Sequence, residues 1–265
     1  MTNASEASVK QCCAAFYGSD LARLLLGDSF HPGGTQLTDR LCQLLQLSQR
    51  SRLLDVAAGR GTSAFYVVEA FGCEVVGIDL SEDNVHAANE EAVRRGLADR
   101  VSFRLADAEK LPFEEASFDA ILCECAFCTF PNKRVAAQEF ARVLKPGARL
   151  GLSDLTRIAG PLPALDDLLS WIACIGDAQP LAAYVGTLES AGLPVESTED
   201  HGEALSTMVR QIQGKLLGAE IMIGLKKMTL PGVDFSSAKR FALAALGVIQ
   251  GGELGYSAIC AVKPR

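Results

Sequence analysis

The sequence predicts an α/β fold in which a doubly wound, mostly parallel sheet of seven strands carries helices on both faces. Short apolar runs alternate with helical stretches of about 10–15 residues, which is typical of a parallel sheet. A glycine-rich turn over residues 57–61 directly follows the first apolar run. We therefore expect one such domain over residues 46–265, preceded by a helical cap over residues 1–45.

Each element follows from a local pattern. The predicted strands, in chain order, are 52–56, 73–79, 101–105, 118–123, 149–153, about 194–198 and 256–262. Ser81 is a suitable N-cap for a helix that runs to about Arg95. Lys145-Pro146-Gly147 predicts a turn before the fifth strand. The other predicted helices lie at about 62–71, 134–144, 165–174 and 181–191, and a C-terminal helical insertion at about 203–250 lies over the sheet edge.

The composition narrows the classes of partner. The chain has 265 residues and a formal net charge of −7, which argues against a nucleic-acid partner because such partners need a basic surface. No apolar stretch is long enough for a membrane span, and the N-terminus lacks the pattern of a secretory signal. We expect a cytoplasmic protein whose nine cysteines stay mostly reduced.

The glycine-rich turn is suited to a ligand at the carboxyl ends of the strands. Gly59 and Gly61 allow close approach of the backbone and present amide hydrogens. Asp79, at the end of the second strand, can accept both hydrogen bonds from a ribose diol. The third strand leads into 107–109, where an acidic side chain and its backbone can bind an adenine. The turn alone would also fit a dinucleotide site or a purely structural turn.

Five segments together are more specific. They read LDVAAGRGT (54–62), GIDLS (77–81), DAEKLPF (107–113), SFD (117–119) and RVLKPG (142–147). In order and spacing they resemble the class I methyltransferase family, which uses S-adenosylmethionine and has a Rossmann-like fold. The resemblance is strong over about residues 50–155.

The resemblance implies roles for particular residues. Asp55 and the turn amides would hold the methionine end of the cofactor, Asp79 the ribose, and Asp107 with Ala108 the adenine. The predicted cofactor-binding residues are Asp55, Ala57, Gly59, Gly61, Asp79, Leu80, Asp107, Ala108, Glu109 and Cys123. Ala57 stands where the family often has glycine, which is tolerable if the backbone there keeps an ordinary conformation. The turn His31-Pro32-Gly33-Gly34 resembles a segment near the cofactor in bacterial relatives, where His31 would stabilise the turn or act in catalysis.

A cysteine cluster follows the fourth strand, where the methyl group should emerge. Cys123, Cys125 and Cys128 lack the paired knuckles of a structural zinc site, and strand alternation would put the first two on one face. They could also pack as small apolar residues. Glu124 between them could bind the cofactor ammonium, act as a base or face solvent.

A narrower resemblance concerns the cysteines. DAILCECAFCTFPNK (119–133), WIACIGDA (171–178) and YVGTLESAGL (184–193) are similar to segments of arsenite methyltransferases. In that family the two cysteines corresponding to Cys125 and Cys174 bind trivalent arsenic. The FYG segment (16–18) resembles a further family motif, with Cys12 and Cys13 just before it as a possible third ligand or redox partner. The family's cysteine-rich C-terminal extension is absent.

The leading hypothesis is therefore a methyltransferase for a small-molecule or metalloid acceptor, best guess As(III) as arsenite or methylarsenite, with Cys125 and Cys174 as ligands. Thiolate sulfur suits a soft acceptor, and methylation that oxidises arsenic would call for a cellular thiol reductant. The alternatives are a C-, N- or S-methyltransferase with structural cysteines, and a non-catalytic protein that binds the cofactor or a metalloid.

Overall fold

The computed structural model describes Tyr17, Gly27 and residues 29–158, 175–225 and 235–265. The described strands are β1 (Arg52–Val56), β2 (Glu74–Asp79), β3 (Val101–Leu105), β4 (Phe118–Glu124), β5 (Leu144–Arg157), β6 (Val195–Asp200) and β7 (Leu254–Val262). The described helices are α1 (Gly34–Leu45), α2 (Thr62–Phe71), α3 (Glu82–Arg94), α4 (Lys133–Val143), α5 (Leu181–Ser190), α6 (Gly202–Gly224) and α7 (Phe235–Gln250), with a 3-10 turn at Phe127–Thr129.

The sheet has seven strands in the order β3-β2-β1-β4-β5-β7-β6. The five strands from β3 to β5 are parallel, and β7 pairs antiparallel with both β5 and β6. The predicted mostly parallel, doubly wound sheet is therefore confirmed. The strand order reverses at β1, because the chain builds β2 and β3 on one side of it and β4 on the other.

Buried aromatic side chains fill the core on both faces of the sheet. The largest fully buried ones are Phe65, Phe118, Phe127, Phe140, Tyr184 and Tyr256. The central strands read as nearly continuous apolar runs because helices cover both of their faces. Burial of each such side chain contributes about 1.5–3 kcal/mol.

One predicted boundary is wrong. Lys145-Pro146-Gly147 was expected to form a turn, but β5 already begins at Leu144 and includes these three residues. Gly147 takes a positive φ of 82° and its N–H donates to Lys263 O at 2.8 Å. The register of the β4–β5 pairing shifts between Phe118 and Ala120, and the pairing continues beyond this irregularity instead of ending there.

Helices α6 and α7 occupy the predicted insertion, between β6 and β7, and pack against each other and against β7. The predicted helix at 165–174 and most of the predicted cap over 1–45 lie outside the described residues. No helix in the described part of the chain is long and apolar enough to cross a membrane. The domain division and the cytoplasmic location stay predictions.

Candidate active site

A cleft opens at the carboxyl ends of β1, β2 and β4, where the strand order reverses. It encloses about 1110 Å³ of space, including its open mouth. Its apolar wall includes Phe30, Ile78, Ala126 and Phe130, and its acidic side chains are Asp55, Asp79, Asp107 and Glu124. The cleft therefore combines acidic and apolar side chains in one lining.

The glycine-rich turn has an unusual backbone. Ala57, Gly59 and Gly61 all have positive φ, at 57°, 56° and 84°. The condition under which alanine would be tolerable at position 57, an ordinary backbone conformation, is therefore not met. The chain passes from β1 into α2 within a few residues while Ala58 N donates to Ile78 O at 2.9 Å, which forces the reversal. An L-residue in this conformation costs about 1–2 kcal/mol.

The floor of the turn is packed too closely for side chains at two glycines. A Cβ added to Gly61 would lie 2.5 Å from Phe103 Cζ, and one added to Gly77 would lie 2.3 Å from Phe103 Cδ1. Phe103 is itself only 5% exposed and packs edge-on against Phe65. These contacts fix the distance between the turn and β2.

Asp79 is held in place by three donors. Gly59 N lies 2.9 Å from Oδ2, while Ser81 N and Asn84 Nδ2 lie 2.8 Å and 3.4 Å from Oδ1. Burial raises the pKa of Asp79, and these hydrogen bonds partly oppose that shift. These donors fix both carboxylate oxygens of Asp79 at the end of β2.

Asp55 has a buried carboxylate oxygen without a hydrogen-bond partner among the described residues. This oxygen is Oδ2, and the residue is 3% exposed. Burial raises the pKa of Asp55 well above its usual value, and the charges of Glu124 and Asp79 raise it further. A buried acceptor of this kind calls for a donor from a ligand.

Only some of the residues predicted to lie around the adenine line the cleft. Asp107 and Ala108 line the cleft, and Leu80 lines it near solvent at 40% exposure. Glu109 lies outside the cleft lining, because its Oε1 accepts from Asn132 N at 2.8 Å. Its N–H nevertheless donates to Asp107 Oδ1 at 2.9 Å and so orients that carboxylate.

Glu124 ends β4 and faces the cleft, with its side chain 4% exposed. Ser63 Oγ donates to its Oε2 at 2.6 Å, and Thr38 Oγ1 lies 3.1 Å and 3.2 Å from its two oxygens. His31 Nε2 lies 3.5 Å from Oε2 and 3.3 Å from Ser63 Oγ, and its Nδ1 lies 3.2 Å from Pro32 O. The geometry excludes a solvent-facing Glu124, and because both ring nitrogens of His31 are engaged it favours the turn-stabilising role.

The cysteine cluster is divided between cleft and core. Cys125 lines the cleft with a positive φ of 52°, and its N–H donates to Ser153 O at 2.7 Å. Cys123 is 0% exposed between β1 and β5, where burial raises its pKa, and it lies outside the cleft lining. Because β4 ends at Glu124, the strand alternation that would put Cys123 and Cys125 on one face does not reach Cys125. Cys128 is 1% exposed.

The other predicted cysteines, Cys12, Cys13 and Cys174, lie outside the described residues, so their predicted roles stay predictions. Within the described ranges, no group of three or more His, Cys, Asp or Glu side chains could hold a metal ion.

Several cleft residues were missed by sequence reasoning. Thr38 and Ser63 reach Glu124 from α1 and α2, across 86 and 61 positions of sequence. Asn84 is 1% exposed and its buried Oδ1 has no hydrogen-bond partner in the described part of the chain. Tyr17 lines the cleft beside Phe30, with their ring centroids 6.0 Å apart. Of the sequence motifs, only the FYG and HPGG segments indicated that the chain around Tyr17 and Phe30 contributes to the cleft.

The site fits S-adenosylmethionine. The unpartnered Asp55 Oδ2 suits a cationic donor such as an ammonium, the left-handed turn brings backbone close to a ligand, and Asp79 is fixed beside it. The fold and site together define a class I, S-adenosylmethionine-dependent methyltransferase.

Comparisons with known proteins agree with that class. The family described as "Methyltransferase domain" matches residues 54–152. The 27-O-demethylrifamycin SV methyltransferase of Amycolatopsis mediterranei is 31% identical over 262 residues, covering 93% of this chain and 94% of that protein. The O-methyltransferase cnsE of Penicillium expansum is 30% identical, covering 84% of this chain and 69% of that protein.

A solved structure shares the fold. Phosphoethanolamine N-methyltransferase 2 of Haemonchus contortus, in complex with phosphomonomethylethanolamine and S-adenosylhomocysteine, has a TM-score of 0.79 at 18% identity, covering 97% of this chain and 61% of that chain. The chain belongs to this methyltransferase family, which uses S-adenosylmethionine as methyl donor.

Proposed function

We propose that this methyltransferase transfers the methyl group to a hydroxyl oxygen of a small, largely apolar organic acceptor. The observation that supports this proposal is the cleft, whose lining combines acidic side chains with apolar ones that include Phe30, Ala126 and Phe130. The relative that matches over nearly the whole chain is named for an O-demethyl compound, and cnsE is named an O-methyltransferase. Both names support oxygen as the accepting atom.

Residues of the cleft would hold the donor. Asp55 would bind the methionine end, Asp79 a ribose hydroxyl and Asp107 with Ala108 the adenine. When bound, S-adenosylmethionine supplies an electrophilic methyl group on a cationic sulfur. The protein contributes position and exclusion of water at the reacting atoms.

In the proposed reaction the acceptor oxygen forms a bond to the methyl carbon as the carbon–sulfur bond breaks. The sulfur keeps the electron pair of that bond and becomes a neutral thioether. The hydroxyl proton passes to a water molecule at the open mouth of the cleft. No step requires a metal or an oxidant.

A second candidate acceptor is thiol-bound trivalent arsenic, as the sequence resemblance suggests. The observation that favours it is Cys125, which lines the cleft at the end of β4. Cys174, with Cys12 or Cys13, would supply the remaining ligands, and a cellular thiol would reduce the oxidised product. This candidate needs sulfurs outside the described residues, whereas the hydroxyl acceptor needs only the cleft.

The test is turnover of donor carrying a labelled methyl group with a panel of acceptors. The panel contains apolar phenols and alcohols, matched amines and thiols, and arsenite with a thiol reductant. We expect label on the hydroxyl compounds, both in the natural protein and in Cys125→Ser. Label on arsenite that disappears in Cys125→Ser would establish the second candidate instead. Label on amines or thiols alone, or none on any acceptor while S-adenosylhomocysteine still binds, would overturn the proposal.

A further inference from the structure

Glu124 is a carboxylate that the reaction above does not use, although it is built into the cleft wall. Its side chain is 4% exposed, and it receives hydrogen bonds from Ser63 at 2.6 Å and from Thr38 at 3.1 Å. Those donors come from two different helices, and both are themselves buried, at 8% and 0% exposure. A buried carboxylate held from two sides has a fixed position, as a ligand-binding group requires.

The cleft has an excess of negative charge around this position. Its lining contains four carboxylates, at Asp55, Asp79, Asp107 and Glu124, whereas its basic side chains among the described residues are Arg60 and His31. The charge of Glu124 is close enough to Asp55 to raise the pKa of the Asp55 carboxyl further above the level that burial gives it. A cation that contacts both carboxylates would remove this repulsion.

The position of Glu124 relative to the strands indicates which cation. Leu122 on β4 pairs with Asp55 on β1, so Glu124 lies two residues beyond that pair, beside the start of the glycine-rich turn. Ser63, its nearest partner, is in the first turn of α2, directly after that turn. These are the elements that would hold the methionine end of the donor, which carries an α-ammonium.

We propose that Glu124 is a cofactor-binding residue: its carboxylate, held by Thr38 and Ser63, accepts a hydrogen bond from the α-ammonium of S-adenosylmethionine, alongside Asp55. Thr38, Ser63 and His31 are then positioning residues, and they connect the HPGG turn and α1 to cofactor binding. The inference depends on the cofactor and not on the acceptor, so failure of the hydroxyl proposal leaves it intact.

The alternative role for Glu124 is that of a base for the acceptor. The contacts favour the ammonium, because Ser63, which donates to Glu124 at 2.6 Å, lies in the first turn of α2, directly after the glycine-rich turn. The two roles differ in a measurable way, since a base affects turnover and its pH profile but not the affinity for the product cofactor.

The experiment compares two ligands by calorimetry: S-adenosylhomocysteine, and its analogue in which hydrogen replaces the α-amino group. Because a hydrogen bond between charged groups contributes about 1.5–3 kcal/mol, Glu124→Gln should weaken S-adenosylhomocysteine binding about 10- to 100-fold. Binding of the deaminated analogue should change less than about twofold. Glu90→Gln, on the exposed face of α3, is the matched control and should affect neither ligand.

Equal loss for both ligands would overturn the proposal, because it would indicate a structural role. Unchanged affinity for both, with reduced turnover, would also overturn it and would indicate a base. If Glu124→Gln does not fold, Ser63→Ala and Thr38→Val decide, since each removes one donor to Glu124 and no charge. Each should weaken the amine-bearing ligand selectively, by several-fold, and loss of that selectivity in both would reject the proposal.

Discussion

The two halves of the cleft are built differently. In the half formed by the ends of β1 and β2, the key contacts are local: Asp79 receives its donors from Ser81 and Asn84, two and five residues away, and from Gly59 in the turn. In the half formed by the end of β4, Glu124 receives its donors from residues 61 and 86 positions away. The first half is therefore built by short motifs, whereas the second forms only once helix α1, which carries Thr38, has packed against the sheet.

The largest expected effect is a loss of stability in the half of the cleft formed by β1 and β2, and it tests how rigid that half is. In Gly77→Ala the new Cβ would meet Phe103 at 2.3 Å and Ala58 Cβ at 3.0 Å. Because such overpacking typically costs 1–3 kcal/mol, we expect the free energy of unfolding to fall by about 3 kcal/mol, the top of that range. Urea denaturation with an unchanged slope measures this effect.

Gly214→Ala is the control for that substitution. Gly214 lies within α6, and an added Cβ there would meet nothing within 4 Å. It should raise stability by up to about 1 kcal/mol, since alanine is the better helix former. A Gly77→Ala variant as stable as the natural protein would mean that Phe103 moves freely, and the contrast between the halves would be weaker than described.

A smaller effect is expected at Asp55, on the border between the halves. Because burial raises the pKa of Asp55, its contribution to stability is fully present below the unfolded pKa of about 3.9 and is lost as the pH rises through the folded pKa. In Asp55→Asn the carboxyl is replaced by an amide, which does not ionise, so this loss of stability at higher pH is absent. We therefore expect the ligand-free variant to gain in Tm relative to the natural protein as the pH rises from 5 to 8.

Each kcal/mol recovered should raise the Tm by about 2–4 °C for a protein of this size. The variant should also bind S-adenosylhomocysteine more weakly, since it lacks the carboxylate for the ammonium. A Tm difference that is the same at pH 5 and pH 8 would show that the Asp55 charge carries no penalty in the ligand-free fold. Asp83→Asn, on the exposed first turn of α3, provides the comparison without a buried charge.

The same contrast explains what could be predicted from the sequence. Apolar runs and helix caps are local signals, so the strands and the cap at Ser81 were predictable. The contacts of Thr38 and Ser63 with Glu124 were not predictable, because the sequence next to these two residues contains no motif that indicates them. Strand alternation was expected to put Cys123 and Cys125 on one face, whereas the strand ends at Glu124 and leaves Cys123 in the core. Backbone reversals at non-glycine residues give no sequence signal.

The smallest expected effect concerns those reversals, since each half has one: Ala57 with φ 57° and Cys125 with φ 52°. Glycine removes about 1–2 kcal/mol of strain but costs roughly 0.5–1 kcal/mol of unfolded-state entropy, so Ala57→Gly should gain about 0.5–1 kcal/mol. Cys125→Gly should gain less, because it also loses the packing of a half-buried thiol. Ala58→Gly, next in the turn but without a positive φ, should lose about 1 kcal/mol in the same denaturation experiment. If Ala57→Gly lowers the free energy of unfolding as much as Ala58→Gly does, the turn is not strained at Ala57. The methyl group there then stabilises the fold by packing.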